Sequence, residues 1–168
     1  MTTHRELVTA CLASLAAVFA RLLTTLWVGG MWSIGYIATP ALFAMLDDRM
    51  LAGNIAGRLF TIIAWIGMGT AAYLLAFMAV RQGRAALRNK LFWGVVAMFA
   101  CVAVGYFGLQ AAMAALKAEA SSMDVMESAM RERFAMLHGV SSVIYLVQSA
   151  LGAWLAVGIG RLTGKSIA

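Results

Sequence analysis

Charge is what this chain has least of: 12% of its 168 residues are Asp, Glu, Lys or Arg, against about 25% in a typical water-soluble domain. Apolar and aromatic residues make up 63%, and the mean hydropathy is +0.87. A soluble fold is thereby excluded, and the length leaves room for one domain. Proline occurs once, at Pro40, which excludes a collagen-like chain or a stiff linker despite 16 glycines. Cys11 and Cys101 are the only cysteines; no CxxC is present and no disulfide is expected. The seven acids leave no carboxylate pair inside an apolar run, and neither a Ser/His/Asp set nor a P-loop is present. A conventional hydrolase or NTPase is not indicated.

Four long windows lack charge altogether: Leu22 to Leu46, Leu59 to Val80, Leu91 to Leu116 and Phe134 to Gly160. Each exceeds the roughly 20 residues that cross a bilayer as a helix, and no alternating strand pattern of a membrane barrel repeats. The expected fold is an all-α membrane protein, a bundle of four transmembrane helices over 22–160, with an N-terminal helical extension over 1–21 and a short tail over 161–168. Within the extension, Leu7 to Ala20 is apolar but too short for a separate span. It reads as an interfacial helix or as a helical prefix of the first span. Val18-Phe19-Ala20 resembles a signal-peptidase site, but cleavage there would reverse the charge bias.

That bias sets the orientation. Arg5, Arg21, Arg81, Arg84, Arg88, Lys90, Arg161 and Lys165 gather on one side, eight of thirteen basic residues, while six of the seven acids fall on the other. The positive-inside rule then puts both termini in the cytoplasm of a bacterial inner membrane. The net charge of +6 expresses topology and attraction to anionic membrane lipids. Nucleic acid is not an expected partner, because the basic residues flank spans and form no stripe.

Lipid gives helices no hydrophobic reason to associate, so small residues are expected at their seams. Gly53 and Gly57 form a GxxxG at the start of the second span; Gly94, Cys101, Gly105 and Gly108 share one face of the third. Trp93 and Trp154 lie toward span ends, where indoles favour the interface. Trp27, Trp32 and Trp65 lie deeper and are expected in the core.

His138 stands out as an ionisable side chain inside the fourth span. Ser141, Tyr145, Gln148 and Gly152 follow it at helical spacing, so this face is expected to look inward. Pro40 removes a donor from the first span and releases the Tyr36 carbonyl. At 1.5 Å per residue, Pro40 lies about 9 Å and His138 about 6 Å from the outer ends of their spans. Tyr36, Pro40, Phe43, Arg58, Gln110, His138 and Ser141 are therefore expected to line an outer-leaflet pocket. The plain structural alternative is that His138 and Ser141 hydrogen-bond neighbouring helices.

Two cofactors bear weighing. Haem would have to be held by His138 alone or with a methionine, since His4 lies at the opposite end. Copper would suit thioethers, and seven of the twelve methionines, Met136 among them, fall on the outer side; His138 and Met136 are the candidate ligands. Met123, Met126 and Met130, however, have the spacing of an interfacial helix stripe. Nothing in the sequence requires a cofactor.

The segments Leu26-Trp27-Val28-Gly29-Gly30, Thr39-Pro40-Ala41-Leu42-Phe43, Ala52 to Phe60 and Phe134 to Ser142 resemble a bacterial family known as the domain of unknown function 4149. That family is similar to eukaryotic transmembrane protein 205, and the glycine-rich first span is distantly similar to copper resistance protein D and to a haem-binding bacterial protoporphyrinogen oxidase. The resemblance implies a four-span protein with a histidine in its last helix. It implies little about activity beyond the handling of soft metals or membrane traffic. The expected role is non-enzymatic: handling or sensing a small solute or soft metal ion, or supporting a membrane partner. The alternatives are a haem- or copper-binding redox protein and an assembly subunit, the latter acting as a homo-oligomer or on another membrane protein.

Overall fold

The computed structural model describes residues 4–121 and 128–164, and these are helical almost throughout. Helix α1 (His4–Trp32) runs through a π-helical stretch, Ser33–Ala38, into α2 (Thr39–Met45). After a short extended turn at Leu46 comes α3 (Arg49–Gln82), then a 3-10 segment, Gly83–Arg88. Helix α4 (Lys90–Ala103) passes through a second π-helical stretch, Val104–Gln110, into α5 (Ala111–Ser121), and α6 (Ser128–Gly164) closes the chain. Four of the resulting rods are long and apolar enough to cross a membrane: His4–Met45, Arg49–Arg88, Lys90–Leu116 and Glu132–Arg161. Met123 and Met126, part of the expected interfacial stripe, lie outside the described residues.

Local chemistry sets the corners. The Asp48 carboxylate accepts from the amides of Met50 and Leu51 at 2.8 and 3.1 Å, an N-cap for α3. Gly83 takes φ +54°, the left-handed turn that ends α3. Asn89 caps α4 by accepting from Leu91 and ties it to the end of α3 through a 3.1 Å bond from its amide to Gln82 Oε1.

Pro40 is accommodated by widening the helix before it. The Thr39 amide donates to Ile34 O, five residues back, so the ring enters a π turn and not a tight α turn.

The four rods form a ring. Helix α1 runs beside α3 and α6, and α4 beside the same two, whereas among the described residues the diagonal pairs α1 with α4 and α3 with α6 have no close backbone approach; α3 and α6 meet through the side chains of Phe60 and Tyr145. Trp27, Met31, Leu74, Met98, Leu155 and Ile159 fill the centre and are all but fully buried. Their outward counterparts, such as Leu12, Leu22, Ile62, Val143 and Leu146, are more than half exposed, as expected of surfaces meeting hydrocarbon.

Three outcomes bear on those expectations. First, of the two readings of the N-terminal stretch the helical prefix is the one observed: from His4 onward it continues unbroken into the first span. Ala17 and Ala20 are buried, the Tyr73 hydroxyl donates to Ala16 O at 2.9 Å, and Arg81 donates to Ala13 O at 3.2 Å. Arg21 turns its guanidinium toward Gly160 O, 3.5 Å away, at the end of the fourth charge-free run, as a long cationic side chain can.

Second, Trp32 and Trp65 are not core: they are 41% and 57% exposed. Lipid tolerates an indole as well as a protein interior does, and Trp65 satisfies its N–H on the Tyr106 hydroxyl at 3.4 Å.

Third, the glycines act as notches for large side chains more than as points of backbone approach. A Cβ at Gly67 would strike the Trp27 indole, at Gly94 the Trp154 ring, and at Gly158 the Leu91 side chain. Gly57, Gly105 and Gly108 face open space, with no atom within 4 Å of such a Cβ, and Gly53 is half-buried.

Candidate functional site

Several polar residues in the half of the bundle remote from the termini gather around Tyr145, which reaches from α6 into the first span. Its hydroxyl donates to the Met31 carbonyl. Only glycine fits opposite it, because a Cβ on residue 35 would lie 2.6 Å from the hydroxyl oxygen.

This contact sits where the first helix changes from α to π. Tyr36, within the π stretch, donates to Ser149 Oγ at 2.9 Å, and Ser149 donates to Tyr145 O at 2.8 Å. The rings of Phe60 and Tyr36 stand edge-on to Tyr145 at 5.5 and 6.0 Å. Gln148, on the next turn, is 7% exposed.

Across the bundle Gln110, last residue of the second π stretch, makes a separate cluster. Its amide donates to Gly57 O at 2.8 Å and to the Thr61 hydroxyl at 2.9 Å, while Thr61 donates to Gly57 O at 3.0 Å. The hydroxyls of Thr39 and Thr70 are buried without a hydrogen-bond partner.

The seven residues expected to share a pocket are therefore divided. Tyr36 binds the fourth span and Gln110 the second. Pro40, Phe43 and Arg58 are exposed, Ser141 is half-buried, and His138 is exposed. The His138 ring stacks on Phe134 one turn earlier, with centroids 6.3 Å apart and planes 4° from parallel, and its carbonyl accepts from Ser142 at 2.8 Å. Met136 is 64% exposed. It lines an apolar groove of about 420 Å³ with Ala112, Ala115, Leu116, Arg133 and Leu137. The helical face that begins at His138 turns inward only by Tyr145, reaching full burial at Gln148 and Gly152.

Sequence reasoning placed Tyr145 on the right face but did not see it as the centre of the cluster. The available signal was Gly35, one residue before Tyr36 and five before the helix-breaking Pro40. Among the described residues no three His, Cys, Asp or Glu come together. His138 and Met136 stand two residues apart on a helix, a spacing that does not turn both side chains to one side.

A closed ring of four apolar rods, with its polar groups joined helix to helix, defines a multi-pass membrane protein. The chain belongs to the family described as a domain of unknown function, DUF4149, which it matches over residues 22–122. The match takes in Gly35, Tyr36, Pro40 and Gln110 and stops before the fourth span, so Tyr145 and His138 lie beyond it. No curated protein and no solved structure matches the chain, and the likenesses to transmembrane protein 205 and copper resistance protein D gain no support.

Proposed function

We propose that this is a non-enzymatic protein of the bacterial inner membrane, both termini cytoplasmic, which supports a membrane partner through the outer part of its fourth helix. The orientation rests on the Lys and Arg bias of the loops. The observation carrying the role is the contrast between the two halves of one helix. Tyr145 and Ser149 are engaged by the first span, whereas His138 is turned out of the bundle. An exposed imidazole at membrane depth is costly in lipid, and a protein neighbour that hydrogen-bonds it removes that cost.

Handling a small solute or soft metal ion would use the same histidine, with a second molecule completing the site. A partner need not be foreign, and a second copy of this chain would serve.

Photo-crosslinking in intact membranes tests the proposal. A photoreactive residue in place of His138 should give a discrete crosslinked protein. The same residue in place of Val143, 63% exposed and about 140° further around the helix, should give only lipid adducts. Indistinguishable products from the two positions would refute the role given to His138.

A further inference from the structure

We infer that the seam between the first and second spans is a binding site for one anionic phospholipid, at the basic end of the bundle. Leu15, Ala16, Val18, Phe19, Leu22 and Tyr73 line an apolar groove of about 460 Å³ on the outer surface of the bundle. Its floor is set by Tyr73, whose hydroxyl is held on Ala16 O at 2.9 Å and whose ring meets Phe19 edge-on at 5.2 Å.

From that floor an aromatic path leads to a charge. Phe77 stacks on Tyr73 at 6.2 Å, and the Arg81 guanidinium lies over Phe77, 5.6 Å from its centroid. Arg81 also donates to Ala13 O at 3.2 Å, which fixes it two residues before the first lining residue, Leu15. The groove therefore begins below the guanidinium and runs into the membrane for about two helical turns.

This is the shape of a phospholipid standing in one leaflet, with a phosphate at the boundary and an acyl chain beneath it. A methylene chain is the ligand that such a wall can bury, since its gain scales with apolar contact. A guanidinium fixed above an aromatic face is suited to a phosphate oxygen. Charge selects the headgroup: Arg5, Arg84, Arg88 and Lys90 lie toward the same end, against a single acid, Glu6. An anionic lipid is favoured there over a zwitterionic one.

The test is native mass spectrometry of the full-length protein in detergent, titrated with dioleoyl phosphatidylglycerol or with dioleoyl phosphatidylcholine. One phosphatidylglycerol should bind ahead of phosphatidylcholine, by about fivefold in apparent affinity. Arg81→Gln should erase that preference. Val18→Trp, which fills the groove from a 41% exposed position and keeps every charge, should weaken binding of both lipids. Arg88→Gln, at the same end but off the groove, should lower the preference much less than Arg81→Gln does. Equal binding of the two lipids by the wild type would overturn the site. So would an Arg88→Gln loss as large as that of Arg81→Gln, or unchanged binding by Val18→Trp.

Discussion

Replacing Gly35 by alanine should destabilise this protein only while Tyr145 is present. In the wild type the added Cβ would overlap the ring edge, 2.6 Å from the hydroxyl oxygen and 2.7 Å from the ring carbon bearing it. Such overpacking costs about 1–3 kcal/mol. Alanine offsets part of this, because glycine in a helix is about 0.5–1 kcal/mol worse than alanine. The net cost of Gly35→Ala should be about 0.5–2 kcal/mol.

In a Tyr145→Ala background the obstruction is gone and only the helix preference remains, so the same substitution should be neutral or stabilising by up to about 1 kcal/mol. The coupling in the double-mutant cycle is then about 1–3 kcal/mol. Tyr145→Phe, which removes only the bond to the Met31 carbonyl, should cost about 0.6 kcal/mol and no more than about 1.7. Reversible unfolding in mixed micelles of rising dodecyl sulfate content, followed by circular dichroism, measures all four corners of the cycle. An equal cost of Gly35→Ala in both backgrounds would refute the close packing of Tyr145 against that turn.

The notches make a second prediction: Gly94→Leu should disrupt the fold through Trp154, while Gly108→Leu, facing open space, should leave the unfolding midpoint within about 0.5 kcal/mol of wild type. Gln110→Ala removes two interhelical bonds and should lower stability by about 1 kcal/mol in the same assay, with no change in oligomeric state. A reporter fused after Ala168 should read as cytoplasmic, and a periplasmic signal would overturn the orientation. Purified protein should show the same visible spectrum and metal content before and after His138→Ala; a Soret band or bound copper lost with the histidine would replace the partner role with a redox one.

The spans were legible because hydrocarbon excludes unpaired charge, so the windows between Arg and Asp clusters mark helices directly. Arg21 ends the charge-free run without ending the helix, which continues from His4 to Trp32, because a guanidinium on a long stem can reach away from an apolar surface. The direction each side chain faces was harder to read. Lipid and core are equally apolar, so Trp27 and Trp65, or Gly94 and Gly108, differ by nothing local and are separated only by what the neighbouring helix presents. The first π stretch is signalled by Pro40; the second, around Gly105, has no proline and no comparable signal. Of the site, Tyr36 and Gln110 were legible as polar groups needing partners. Their partners, Ser149 and Thr61, lie on other spans at separations that no periodicity encodes. His138 was placed on the inward face because its helical row ends in Gln148 and Gly152. A row repeating every seven residues drifts about 20° per repeat on a straight helix, and over two repeats that carries the first member out of the bundle.

If protein covers the surface around His138 in the native membrane, as proposed, a cysteine at that position in a Cys11→Ser, Cys101→Ala background should reveal it. Alkylation by a membrane-permeant maleimide is compared between the detergent-purified chain and native membranes. Rapid labelling of the purified chain and strong protection in membranes are expected, with a cysteine at Val143 labelled alike in both. Equal labelling of position 138 in the two preparations, at the rate seen for position 143, would contradict it.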